Sequence, residues 1–249
     1  MYQNEFAEIY DILIQNDYSY SDYADYLEQI FSKFQITPNL IADLGCGTGS
    51  LCLELARRGY DMIGIDASPE MLNLAQTKAY DDKKNILFLN QSIHDFELFG
   101  TVGAIVSTID SLNYILTLKK LQQTFKLADN YLDPDGLFIF DINSRYKLSS
   151  ILANNPFYEI TDDICYIWQN SYNAVKHLST FELTFFVKNE DDTYSRFDEV
   201  HKQRAHSHEE IIQAAKAANL IFEGSFLNLT FDMPSATAEK ICYVFRKAL

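Results

Sequence analysis

Between residues 39 and 141, five short apolar runs alternate with segments of helical period, and this alternation restricts the chain to very few folds. The runs cover 39–44, 61–66, 86–90, 102–108 and 137–141. Strands this apolar need cover on both faces, and a helix between successive strands supplies it. The spacing predicts helices over 49–58, 69–79 and 118–132, the first ended by Gly59. Ser68 is placed to cap the second, with Pro69 at its first position, where a missing N–H costs nothing. Asp133-Pro134-Asp135-Gly136 reads as a turn into the fifth strand. The expected architecture is a doubly wound, mostly parallel α/β sheet with helices on both faces.

After residue 150 the alternation breaks, and from about Phe157 to Arg204 the pattern is strand after strand, with strands named over 164–170, 178–187 and 194–201 and a turn at 189–192. This predicts an antiparallel insertion over 151–205. Ser207, with Glu210 three residues on, forms a capping-box pattern for a helix to 218. Strands at 221–227 and 241–245 then complete a seven-stranded sheet. Tyr23, Leu27, Ile30, Phe31 and Phe34 recur at helical spacing, so 1–35 is expected to form a helical cap. The α/β domain is assigned to 36–150 and 206–249.

Composition narrows the partners. Twenty Lys and Arg stand against 35 Asp and Glu, a formal charge of −15, which disfavours nucleic acid because that affinity rests on neutralising phosphates. No apolar stretch approaches the ~20 residues needed to span a bilayer. The first ten residues carry Glu5 and Glu8, with no basic flank or apolar centre, so a cytoplasmic location is expected. Cys46, Cys52, Cys165 and Cys242 lack metal-ligand spacing, so they are read as reduced thiols and no metal is assigned. The exposed strand edges of the insertion leave a homodimer open.

The most informative segment is Asp43-Leu44-Gly45-Cys46-Gly47-Thr48-Gly49, between the first strand and first helix. That position is the ligand crevice of an open α/β sheet. Two readings compete. A dinucleotide fingerprint needs G-x-G-x-x-G/A, but Ser50 stands at its third glycine; the glycines follow G-x-G-x-G instead. Asp43, two residues before the first glycine, suits a ligand with an ammonium group and disfavours a pyrophosphate. Asp66 ends the second strand, placed to accept both hydroxyls of a ribose, a feature nicotinamide enzymes share.

In these residues the sequence resembles the class I S-adenosylmethionine-dependent methyltransferases over about residues 36–150. The resemblance implies that Gly45, Cys46, Gly47 and Gly49 form the loop under the methionine half of the cofactor, with Asp43 beside it. Asp66 would hold the ribose, with Ala67, Ser68 and Met71 near the adenosine. The third-strand exit, Gln91, Ser92 and Ile93, would lie against the adenine, although many relatives carry an acid where Gln91 stands. The fourth-strand exit, which includes Thr108, Asp110, Asn113 and Tyr114, would lie between cofactor and acceptor. It lacks the Asn-Pro-Pro-Tyr pattern of enzymes that methylate nucleobases or glutamine. Phe6-Ala7-Glu8-Ile9-Tyr10-Asp11 resembles a segment of sugar amine dimethyltransferases and glycine methyltransferase, in which a helix closes over the cofactor. Tyr10 would reach the cofactor carboxylate. The overall likeness is to uncharacterised bacterial methyltransferases of this length.

The expected function is methyl transfer from S-adenosylmethionine to a small molecule, with an amine acceptor suiting the acidic balance. Asp110, Asn113, Tyr18 and His201 are the candidates for the chemistry, against ordinary turn, packing and exposed-strand roles. Tyr114, Trp168 and Arg204 are candidates for acceptor binding, Arg204 competing with a surface ion pair. Tyr20 is a further mouth candidate, and Cys46 has no neighbouring base to make it a nucleophile. A protein or RNA methyltransferase and a non-catalytic cofactor-binding sensor are the alternatives.

Overall fold

The computed structural model describes Ala7, Ile9, Asp11, Leu13 and residues 19–249. Helix α1 (Tyr20–Lys33) is capped by Ser19, whose hydroxyl accepts from the Asp22 amide. There follow β1 (Leu40–Leu44), α2 (Ser50–Arg57), β2 (Asp61–Asp66), α3 (Pro69–Asp81), β3 (Leu87–Asn90), β4 (Val102–Ser107), α4 (Leu118–Tyr131) and β5 (Leu132–Asn143). Strands β6 (Phe157–Ile160), β7 (Ile164–Asn173), β8 (Leu178–Lys188) and β9 (Tyr194–Arg204) come next, then α5 (His208–Ala217), β10 (Leu220–Leu227) and β11 (Lys240–Lys247). The caps expected at Ser68 and Ser207 form, the latter as a complete capping box with Glu210.

The main sheet has seven strands in the order β10-β11-β5-β4-β1-β2-β3, with β11 antiparallel to both neighbours. Its two faces divide the core by strand alternation. Ile41 of β1 faces α1 and α2 with Met62, Val106 and Ile139, whereas Ala42 and Leu44 face α4 and α5 with Phe125, Phe138 and Phe140. Helix α1 therefore packs on one sheet face through Tyr23, Tyr26, Leu27, Ile30 and Phe31. No helix among the described residues is long and apolar enough to cross a membrane.

The second sheet is antiparallel, in the order β6-β7-β8-β9. Its inner face shares cores with the rest of the chain. Ile164, Phe185 and Phe197 pack with Met71 of α3 and with Ala7 and Ile9, while Phe181 packs with Leu148 and Leu152. Two local features differ from the sequence reading. The Asp133–Gly136 turn is a bulge inside β5: Val102 pairs with Leu132 and Ala104 with Leu137, and Asp135 takes a positive φ. Strand β6 is a fourth strand of the insertion, short and exposed, so no apolar alternation announced it.

Candidate active site

The carboxyl ends of β1, β2, β4 and β5 open onto a cavity of about 810 Å³, closed on its far side by β7, β8 and β9. The loop after β1 forms its floor. Gly47 has a φ of +53° and open space where a Cβ would stand, so the backbone is bare toward a ligand. Gly49, also left-handed, would bring a Cβ to 2.9 Å from that of Ala75, which fixes the close approach of α2 to α3. Asp66 lines the cavity beside the loop, its Oδ2 accepting from the Gly47 amide at 2.9 Å and its Oδ1 from the Ser68 amide at 2.8 Å. The Ala67 amide also acts on the carboxylate. Burial pushes the Asp66 pKa up, against those amides. Asp11 ties the N-terminal segment to this floor by accepting from Lys78 Nζ at 2.6 Å and from the Thr48 hydroxyl.

The loop after β4 is strained. Ile109 and Asp110 have φ values of +52° and +54°, and a β-branched residue rarely adopts that region. The buried carboxylate of Asp141 holds the turn, accepting both amides at 2.8 Å. Lys240 pairs with Asp110 at 2.8 Å and lies 3.6 Å from Asp141. The Gln203 side chain, from β9, donates to the other Asp110 oxygen at 2.6 Å. Asp110 thus joins the main sheet to the insertion at the cavity wall.

Residues 41–136 match a family described as a methyltransferase domain. The chain is 32% identical to a protein of Geobacillus sp. (strain WCH70) named as a methyltransferase, over 99% of this chain and 100% of that one. It is 33% identical to YqeM of Bacillus subtilis (strain 168), also named as a methyltransferase, over 98% and 96%. A crystal structure of an S-adenosylmethionine-dependent methyltransferase from Clostridium acetobutylicum ATCC 824 superposes with a TM-score of 0.91, at 32% identity and 99% coverage of both chains. The chain belongs to the class I S-adenosylmethionine-dependent methyltransferases. The fold alone is shared with CalS10 of Micromonospora echinaspora, an S-adenosylmethionine-bound amino pentose methyltransferase, at a TM-score of 0.78, 15% identity and coverage of 100% and 98%.

The methyltransferase cavity fits that cofactor. The bare Gly47 backbone and the Asp66 carboxylate lie on one wall with Gly45, Ala67, Ser68 and Met71. Ser92 and Ile93 continue it toward His94, which meets the Ser92 hydroxyl at 2.7 Å. Several expected contacts are not brought to the wall. Asp43 is buried behind the loop, where Cys52 Sγ donates to it at 3.4 Å; burial raises its pKa to about 7. Cys46 is packed inward with its thiol pKa pushed up by burial. Gly49 serves helix packing, and the Gln91 side chain turns away to accept from the Glu97 amide at 2.9 Å. Thr108 contributes its carbonyl to Ser111. Tyr10 and Tyr18 lie outside the described residues.

At the end under the insertion, the candidates Tyr114, Trp168, His201 and Asp110 line the cavity. His201 is not an exposed strand histidine: it is 9% exposed, stands edge-on to Tyr114, and is held neutral with a pKa of about 4 by burial. Asn113 is structural. It is fully buried, its amide donating to the carbonyls of Asn143 and Arg204 at 3.1 and 2.9 Å while its oxygen accepts from the Asn143 amide at 2.9 Å. Arg204 pairs with Glu210 at 2.8 Å and donates to the Lys176 carbonyl, so it braces α5 against the insertion. Tyr20 packs into the α1 face of the core. Lys147, Gln203, Tyr166, Phe181 and Phe185 were not singled out from the sequence, yet all line the cavity. Gln203 had a legible signal: Phe197, Glu199, His201 and Gln203 alternate on one face of β9, and three of the four are polar.

Proposed function

We propose that this methyltransferase acts on a small molecule and that the accepting atom is an amine nitrogen. The single observation that carries the reading is the continuity of the cavity, which runs from the Gly45–Asp66 floor to the aromatic wall of the insertion. One continuous space thus serves donor and acceptor, which suits a molecule able to enter whole. When bound, S-adenosylmethionine supplies a methyl group already activated on a sulfonium. The chain's own residues have to position, align and exclude water. Asp66 and the Gly47 backbone orient one end, and the insertion covers the other.

The choice of nitrogen follows from proton accounting. A hydroxyl acceptor needs a base poised near neutral pH. Of the two base candidates taken from the sequence that line the cavity, His201 is held at about 4, well below that range, and Asp110 has both oxygens engaged by Lys240 and Gln203. An amine needs no such base, because an apolar chamber favours its neutral form with the lone pair free.

Calorimetric titration of S-adenosylmethionine and S-adenosylhomocysteine into wild type and Asp66→Ala tests the cofactor half. Micromolar binding is expected, weakened about 10- to 100-fold in the variant by loss of charge-assisted hydrogen bonds. Mass spectrometry of an acceptor panel, amines against alcohols, tests the other half. Folded wild type that binds neither ligand would sink the reading, and methylation of alcohols alone would overturn the nitrogen assignment.

A further inference from the structure

We propose that Lys147 recognises an anionic group on the methyl acceptor, so that the acceptor is a small acid with an apolar body. This rests on the small-molecule reading above and names the substrate class for the same site.

Lys147 opens a π-helical turn, Lys147–Leu152, just past the carboxyl end of β5. Such turns are concentrated at functional sites. Lys147, Ile151 and Leu152 all line the cavity from this turn. Among the described residues Lys147 is the only lysine or arginine on the cavity wall.

The carboxylates in this corner are already claimed. Asp110 takes Lys240 and Gln203, and Asp141 takes two backbone amides with Lys240 behind it. Glu239 sits at the exposed rim and makes no ion pair with Lys147. The Lys147 backbone amide donates to Ser144, but among the described residues its ammonium has no hydrogen-bond or ion-pair partner. Burial, with the Lys240 charge adding to it, holds the ammonium below the ordinary lysine range, against the opposing pull of the Asp110, Glu239 and Asp141 carboxylates, none of which bonds it directly. A half-buried cation in that position gains most from a ligand that brings its own negative charge.

The facing wall supplies the rest of the recognition. Tyr166, Trp168, Phe181, Leu183 and Phe185 present aromatic and aliphatic surface from β7 and β8. A body that packs there, with a carboxylate reaching Lys147, uses both halves of the chamber.

The test uses the complex with S-adenosylhomocysteine. Benzoate, phenylacetate and indole-3-acetate, each beside its carboxamide, are titrated into wild type, Lys147→Met and Lys147→Arg by calorimetry. At least one acid is expected to bind wild type about tenfold or more tightly than its amide, a charge-assisted contact's worth. Lys147→Met removes that preference, Lys147→Arg keeps it, and S-adenosylhomocysteine affinity stays within about twofold in both. Binding of no acid, equal binding of acids and amides, or an unchanged preference in Lys147→Met overturns the proposal. So does loss of S-adenosylhomocysteine binding in Lys147→Met, which would assign the lysine to the cofactor carboxylate. Wild type that fails to bind S-adenosylhomocysteine at all removes the underlying reading, and this one with it.

Discussion

A carboxylate two residues before a glycine loop can face a ligand or the protein, and Asp43 faces the protein. It is enclosed behind the loop, where its charged form is disfavoured and its pKa rises to about 7. In the unfolded chain the same group titrates near ~3.9. Between those values the folded state keeps a proton that the unfolded state has released. Stability from this group therefore falls as pH rises from about 4 to 7, and the whole penalty is present at pH 8. Asp43→Asn removes the charge at nearly constant shape. Its melting temperature, relative to wild type, should be more favourable at pH 8 than at pH 5; an equal difference at both would show that Asp43 is not desolvated as described. Asp66, by contrast, was legible in sequence, because the end of the second strand must face the crevice in any doubly wound sheet. The difference between the two aspartates lies in which side of the loop each side chain takes, and the residue pattern does not encode that.

At the scale of elements, local chemistry was readable wherever a side chain acts on its own backbone. The capping serines and Pro69 belong to this class, whereas the Asp133–Gly136 segment, read as a turn, is a bulge within β5. Asn113 does not, because its partners are 30 and 91 residues away. It joins the 3-10 turn Ser111–Tyr114 to the end of β5 and the end of β9. Asn113→Ala should leave buried backbone groups unpaired, at about 1–3 kcal/mol each. A loss of about 3 kcal/mol in urea unfolding is expected. S-adenosylhomocysteine affinity should change little, since Asn113 is no part of the cavity wall; a catalytic Asn113 would give normal stability and lost turnover instead.

Across the whole molecule, the insertion is expected to unfold with the α/β sheet. Phe185 and Phe197 share a core with Met71, and Phe181 shares one with Leu148 and Leu152. Trp168 is the single tryptophan and sits in β7, so its fluorescence reports the insertion, while far-ultraviolet circular dichroism reports mainly the rest. Urea transitions followed by the two probes should coincide. A separate, earlier fluorescence transition would show that the insertion melts by itself and acts as an independent lid.

The sequence by itself determined the strand–helix alternation, the glycine loop, Asp66 and hence the cofactor, because each depends on periodicity or on residues close together in the chain. The tertiary structure alone decided the part of the cavity under the insertion. Lys147, Trp168 and the β9 pair His201 and Gln203 come from the turn after β5, from β7 and from β9, and no sequence interval relates these three places. They meet because the antiparallel sheet folds back over the carboxyl edge of the parallel one, driven by burial of its inner aromatic face. Charge assignment was decided there too. Arg204 had the chemistry of an anion site but was taken by Glu210, and Lys147, unremarkable in sequence, was left facing the cavity.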